Sequence, residues 1–248
     1  MIIEFEHNGN KYSANLAEPL DISLPLFSGE HNPNAFYIAN PKFEPVKVGS
    51  FVGSVQEGGA CNCENLFLNA HGNGTHTECV GHISKERVTI NQTLKHFFAI
   101  AQVISVNPNQ IENDDWIVTY ESITKHYNKT ANALVIRTLP NSNNKKLNQY
   151  SGNNPTYLEP KLGTFLANNH VKHLLVDLPS VDREEDGGAL ATHHAFWQYP
   201  HQTRMDATIT EMIFVDNSIE DGLYLINMQI ASFESDASPS KPVLYKLI

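Results

Sequence analysis

Three imidazoles and a carboxylate lie within twelve residues of this chain: His71, His76, Glu78 and His82, in the run N-A-H-G-N-G-T-H-T-E-C-V-G-H from Asn69 to His82. Neutral imidazole nitrogens and carboxylate oxygens are the donors that hold a borderline divalent cation, and a catalytic site uses about three of them plus an open position. A single histidine is most often a surface or hydrogen-bonded core residue. Donors gathered at this spacing point to a metal instead, because core histidines have no reason to collect around an acid. His76, Glu78 and His82 differ by even numbers, so the alternation of an extended strand predicts all three on one face. His71 falls off that parity. Gly72 and Gly74 take positive φ at little steric cost, so a turn or bulge there is expected to bring His71 round.

The elements around this run read as mixed α/β. Asn8-Gly9 between Ile2–Phe5 and Lys11–Ala14 predicts an opening hairpin. Alternating residues between 46 and 68 predict two or three strands leading into the histidine run. A short helix is expected over 92–98, then strands over 99–106, 133–138 and 173–178, the last preceded by a helix over 157–168. The Asn- and Lys-rich stretch 141–154 reads as an exposed loop, a lid or a subunit contact. Apolar runs at 222–231 and 242–248 read as closing strands.

At 248 residues the chain is expected to form one domain over 1–248. Its composition, 41% hydrophobic and 18% charged, is that of a soluble globular protein. No apolar run approaches the ~20 residues of a membrane span, and M-I-I-E-F-E-H lacks the basic-then-apolar order of a signal peptide, so no membrane partner and a cytoplasmic location are expected. A net charge of −10 argues against a nucleic-acid partner, which would require clustered Lys and Arg. Cys61, Cys63 and Cys79 do not make a paired framework and read as reduced thiols, with Cys79 on the strand face opposite Glu78 and packed in the core.

The run from Gly74 to His82 resembles the H-x-G-T-H-x-D-x-P-x-H signature of the cyclase family of metal-dependent hydrolases, which includes bacterial kynurenine formamidases and isatin hydrolases. Gly74, Thr75, His76 and His82 fall on the pattern. Glu78 replaces the family's Asp, and Val80 stands where the family has Pro. The family's first His falls on Gly72, so His71 serves through a one-residue insertion. Asp21-Ile22-Ser23 resembles the family's D-[LI]-S opening, and Asp177 to Asp182, D-L-P-S-V-D, resembles a second family motif.

The resemblance implies a swivelling β/β/α domain and a metal site completed by a later His and Glu. His193 or its neighbour His194 supplies the first, with His193 the better match; adjacent residues face differently, so one of the two is expected to reach the metal. Glu211 supplies the second, and an acid inside the apolar run 207–212 independently suggests a site role. The interval from His193 to Glu211 is long for the family, so an insertion over 198–206 is expected to reshape the pocket. Phe36 and Tyr37 fall where relatives place pocket aromatics. The implied cofactor is one or two Zn²⁺ or Mn²⁺ ions, and the implied assembly is a homodimer or homotetramer.

Such a site makes amide hydrolysis feasible at neutral pH, because a bound cation activates water and polarises a carbonyl. The substrate is then a small molecule, with N-formyl-kynurenine first and lactams or other cyclic amides second. His71, His76 and Glu78 are expected to hold one ion; His82, His193 and Glu211 either hold a second or leave His82 free to shuttle the proton. A different class is also spelled here. His76, Glu78 and distant His193 match the two-His-one-carboxylate set of non-haem Fe(II) oxygenases, with Arg204 as a 2-oxoacid anchor. A binding protein with a structural metal is the third reading, favoured if His71 lies remote from the site.

Overall fold

The computed structural model describes residues 1–111 and 114–248 and is built around a nine-stranded mixed sheet. The chain opens on the expected hairpin, β1 (Ile2–His7) and β2 (Asn10–Asn15), whose turn residues Asn8 and Gly9 both take the left-handed conformation that a two-residue hairpin loop requires. After β3 (Leu20–Asp21), two small ribbons lie outside the main sheet, pairing β4 (Lys42–Pro45) with β7 (Glu64–Phe67) and β5 (Lys47–Val48) with β6 (Phe51–Val52). The one-turn helix α1 (Ala70–Asn73) and strand β8 (His76–Cys79) carry the histidine run.

The next helix, α2 (Ile90–Thr93), starts earlier than the 92–98 expected. Thr89 fixes its start by accepting the Gln92 N–H, and Phe98 already belongs to β9 (Phe98–Val106). Then come β10 (Asn109–Gln110), β11 (Trp116–Val118), α3 (Tyr120–Thr124), β12 (Ala133–Thr138) and β13 (Tyr157–Leu158). Helix α4 (Pro160–Asn168) begins three residues later than expected, because Tyr157 and Leu158 pair with β11 and Pro160 suits the first helical turn. The chain closes through β14 (His173–Val176), α5 (Ala191–Trp197), β15 (Thr208–Glu211), β16 (Gly222–Asn227), β17 (Ala237–Pro239) and β18 (Val243–Lys246).

The sheet order is β17-β8-β15-β14-β12-β9-β16-β18-β3. The four central strands β15, β14, β12 and β9 are parallel, and the flanking pairs are antiparallel. Both faces are covered, which is why the central strands read as continuous apolar runs. Alternate residues divide between two cores: Ile104, Leu134, Ile136 and Leu174 meet Leu162 and Leu166 of α4 and Phe196 and Trp197 of α5. Val103, Val135 and Leu175 meet Ile22, Ile90 and Leu244 on the other side. Each such fully buried aliphatic side chain contributes roughly 1.5–3 kcal/mol over an exposed one.

The polar stretch 141–154 is more firmly held than an exposed loop. Asn141 is buried and donates to the Val215 carbonyl at 2.8 Å, and Lys145 Nζ reaches the buried Asp177 carboxylate at 2.7 Å. Its polar residues satisfy groups at the ends of β12 and β14, a use that composition does not reveal. No helix among the described residues is long and apolar enough to cross a membrane.

Candidate active site

Strand β8 lies between β15 and β17, with His76 opposite Glu211 and Pro239, and Glu78 opposite Ile209 and Ala237. Alternation sends His76 and Glu78 to the α5 side of the sheet, as expected, and Cys79 into the opposite core. Glu211, directly across from His76, emerges on the same face, and its Oε2 lies 3.3 Å from His76 Nε2. All three side chains are buried.

His82 reaches the site by a different route from the one parity predicts. The strand ends at Cys79, and a 3₁₀ turn over Val80–His82 swings the imidazole back until its Nδ1 is 3.7 Å from Glu78 Oε2. His71 is also brought in, from α1, with Nδ1 3.2 Å from Glu78 Oε2. Asn69 caps that turn by accepting the Gly72 N–H at 3.1 Å. At Gly72, where the family pattern has its first His, a Cβ would meet the Ile38 side chain at 2.6 Å. No side chain fits at that position, so the neighbouring residue supplies the imidazole.

Of the adjacent pair on α5, His193 enters the site. Its Nε2 is 3.1 Å from Glu78 Oε1, while His194 turns away to the Tyr199 carbonyl at 3.1 Å. Two acids that sequence reasoning left without a role complete the cluster. Asp182, the last residue of D-L-P-S-V-D, accepts from His193 Nδ1 at 2.6 Å and from the Thr192 and His193 backbone N–H groups at the start of α5. Asp236 accepts from His71 Nε2 at 2.8 Å and His82 Nδ1 at 3.3 Å. The family-like motif pointed to Asp182, whereas Asp236 lies in a short polar run with no spacing signal.

The donors fit a divalent cation. His76 Nε2 and Glu78 Oε2 are buried without a hydrogen-bond partner among the described residues, although other donors crowd both atoms. Leaving such an atom unpaired costs about 1–3 kcal/mol, which a shared cation relieves. Two sets meet around Glu78: His71, His76 and Glu78, and Glu78, His82 and His193, each with one ligand atom per residue lying within 4.8 Å of the others. Glu211 stands at the wall of these sets. Its Oε1 accepts the Val181 N–H at 2.9 Å and is 3.9 Å from His193 Nε2.

Without a cation the cluster is an ion-paired network. Burial alone would lower the His71 and His193 imidazoles, but a hydrogen bond to Asp236 and the adjacent Glu78 carboxylate for the first, and hydrogen bonds to Asp182 and Glu78 for the second, push both up to about 10. Burial would raise Glu78, yet the surrounding imidazoles, His82 first among them, hold it well below the usual carboxylate range. A cation entering here displaces protons.

A cavity of about 640 Å³ opens over the cluster, lined by Phe36, His71, His82, His193, Glu211 and the loop 183–190. Phe36 is therefore where a pocket aromatic was expected. Tyr37 is not: it lies outside that lining, 74% exposed, and its backbone N–H is held by Ser151 Oγ. Nor does the segment 198–206 contribute to the lining. Arg204 donates to the Phe196 and Val171 carbonyls and lies over the Phe196 ring, so it buttresses α5 and is no anchor for a 2-oxoacid.

The family model described as Putative cyclase matches residues 14–183, well over half of the chain. The chain belongs to the cyclase family. It is similar to the kynurenine formamidase of Bacillus thuringiensis, 25% identical over 77% of this chain and 83% of that one. It is also similar to the Bacillus cereus kynurenine formamidase, 23% identical over 92% and 95% of the two chains. Isatin hydrolase A from Ralstonia solanacearum superposes with a TM-score of 0.67 at 14% identity, covering 92% of this chain and 91% of that chain, which shows a shared fold.

In this cyclase-family site the return of His82 depends on Gly81. A Cβ at Gly81 would overlap the Val88 carbonyl oxygen, a backbone atom with little room to yield. Gly81→Ala is expected to cost about 1–3 kcal/mol in denaturant unfolding through overpacking, and to pull His82 away from Glu78. Unchanged stability would show that the turn yields freely.

Proposed function

We propose that this cyclase-family chain is a metal-dependent amide hydrolase of the arylformamidase type, releasing formate from N-formyl-kynurenine to leave kynurenine. The observation that carries the reading is the pair of buried donor atoms, His76 Nε2 and Glu78 Oε2, that have no hydrogen-bond partner among the described residues and lie at the centre of converging imidazoles. Kynurenine formamidases among its relatives point to the formamide as substrate.

A bound Zn²⁺ or Mn²⁺ would supply Lewis acidity, making the formyl carbonyl more electrophilic and water more acidic at neutral pH. His71, His76 and Glu78 would hold one ion. Glu78 is common to a second set with His82 and His193, beside which Glu211 stands, and these residues would hold a second ion if two are bound. His82 is the partly exposed imidazole on the cavity wall, placed to carry a proton to the departing aryl amine. Phe36 lines the same cavity and would supply aromatic surface for packing against the aryl ring, and the 183–190 loop forms a further part of the lining.

The test compares the metal-loaded protein on N-formyl-kynurenine and on isatin, a lactam. The formamide is expected to be preferred by about tenfold or more in kcat/KM, a difference of roughly 1.4 kcal/mol in transition-state binding. The reverse preference would move the assignment to cyclic amides within the same chemistry.

A further inference from the structure

His71 stands between two carboxylates, with Nδ1 3.2 Å from Glu78 Oε2 on the inner side and Nε2 2.8 Å from Asp236 Oδ2 on the outer. The same Asp236 oxygen accepts from His82 Nδ1 at 3.3 Å, and the other, Oδ1, accepts from Ser235 Oγ at 3.0 Å. The sheet fixes where this carboxylate sits. The Asp236 carbonyl accepts the Cys79 N–H at 3.0 Å, and Ala237 pairs with Glu78, so the strand that carries His76 and Glu78 also sets the position of Asp236. The His71 and His82 rings stack with centroids 4.4 Å apart, held side by side over one oxygen.

An imidazole whose one nitrogen donates to a carboxylate offers the lone pair of the other, and such outer partners set both tautomer and ring orientation. His76 and His193 have Nδ1 tied outward, to the Gly74 carbonyl at 2.9 Å and to Asp182, and present Nε2 inward. His71 is arranged the opposite way. The reversal accompanies its position one residue ahead of Gly72, where the Ile38 side chain leaves no room for a side chain.

We propose that Asp236 is a positioning residue that fixes His71 as an Nδ1 metal ligand and holds His82 by its Nδ1, leaving the His82 Nε2 free for proton transfer. The role rests on the metal-hydrolase reading. It makes Asp236, 165 residues from His71 in the chain, the group that joins a ligand to the proton carrier through one oxygen atom.

The experiment loads ¹⁵N-histidine-labelled full-length protein with ¹¹³Cd²⁺ and reads which nitrogen of each imidazole couples to the metal, alongside Cd²⁺ affinity by chelator competition. His71 is expected to couple through Nδ1 and His76 through Nε2. Asp236→Ala is expected to weaken Cd²⁺ binding by about 10–100-fold, the usual effect of losing such a partner, and to erase the His71 coupling while that of His76 persists, which shows that the fold is intact. Asp236→Asn keeps an acceptor oxygen and is expected to recover most of the affinity. Coupling of His71 through Nε2, or Asp236→Ala binding Cd²⁺ as tightly as wild type, would overturn the proposal. A wild-type protein that binds no Cd²⁺ would instead bring down the metal reading itself.

Discussion

Removing the divalent metal, or replacing His76 by alanine, is expected to lower N-formyl-kynurenine hydrolysis by on the order of 10³-fold or more. Returning Zn²⁺ or Mn²⁺ should restore the wild-type protein and leave the variant inactive. The expectation follows from where His76 sits. It is fully buried on β8, its Nδ1 is occupied by the Gly74 carbonyl, and its Nε2 has no hydrogen-bond partner among the described residues. Its neighbour across the strand pair is the Glu211 carboxylate, with Oε2 3.3 Å from that nitrogen. Because alanine at a buried site also leaves a void, His71→Ala serves as a second variant, truncating a half-buried imidazole at the cavity edge. Turnover retained by rigorously metal-stripped protein would sink the hydrolytic mechanism. Loss in both variants, with the circular dichroism and thermal unfolding of folded protein, would leave ligand removal as the cause.

Much of this centre is legible in the chain because its residues are close in sequence. His76 and Glu78 share a strand face by simple alternation, and the resemblance to cyclase-family motifs led to His193 and Glu211, which β15 and α5 bring to Glu78. His82 was reached for the wrong reason, since a 3₁₀ turn carries it and strand parity does not. A one-turn helix such as α1 is too short for periodicity to register, so the route taken by His71 was visible only as a glycine-flanked break. Asp236 was out of reach for another reason. Its contact with His71 exists because β17 pairs with β8 across most of the chain, and sheet order is a global outcome that no local pattern encodes. Arg204 and Tyr37 failed in the opposite direction, being residue types suited to a site that the fold assigns to a helix buttress and to the surface.

Asp182→Ala is expected to destabilise the metal-free protein by on the order of 3 kcal/mol, the scale of breaking a buried charge pair by removing one partner, and to weaken metal binding by about 10–100-fold. Asp182 satisfies three donors at once, His193 Nδ1 and the backbone N–H groups of Thr192 and His193, so its loss uncaps α5 and frees the His193 ring together. The pH dependence has a definite sign. Burial by itself lowers the His193 imidazole, but Asp182 and Glu78 prevail and raise it to about 10, above an unfolded value of about 6.5. Stabilisation by this imidazolium is therefore fully present below about pH 6.5 and disappears as pH rises through about 10. The penalty of Asp182→Ala in urea unfolding should accordingly be larger near pH 6 than near pH 10, and an equal penalty at both would show that Asp182 acts only as a helix cap. Asp182→Asn separates the two roles further. Its amide oxygen in the place of Oδ2 can still accept from Nδ1 and from the His193 N–H, while the NH2 group then faces the Thr192 N–H and leaves that donor without an acceptor. The charge is lost but an acceptor for Nδ1 remains, so the asparagine variant is expected to retain more stability and more metal affinity than the alanine variant, with a smaller dependence on pH than wild type.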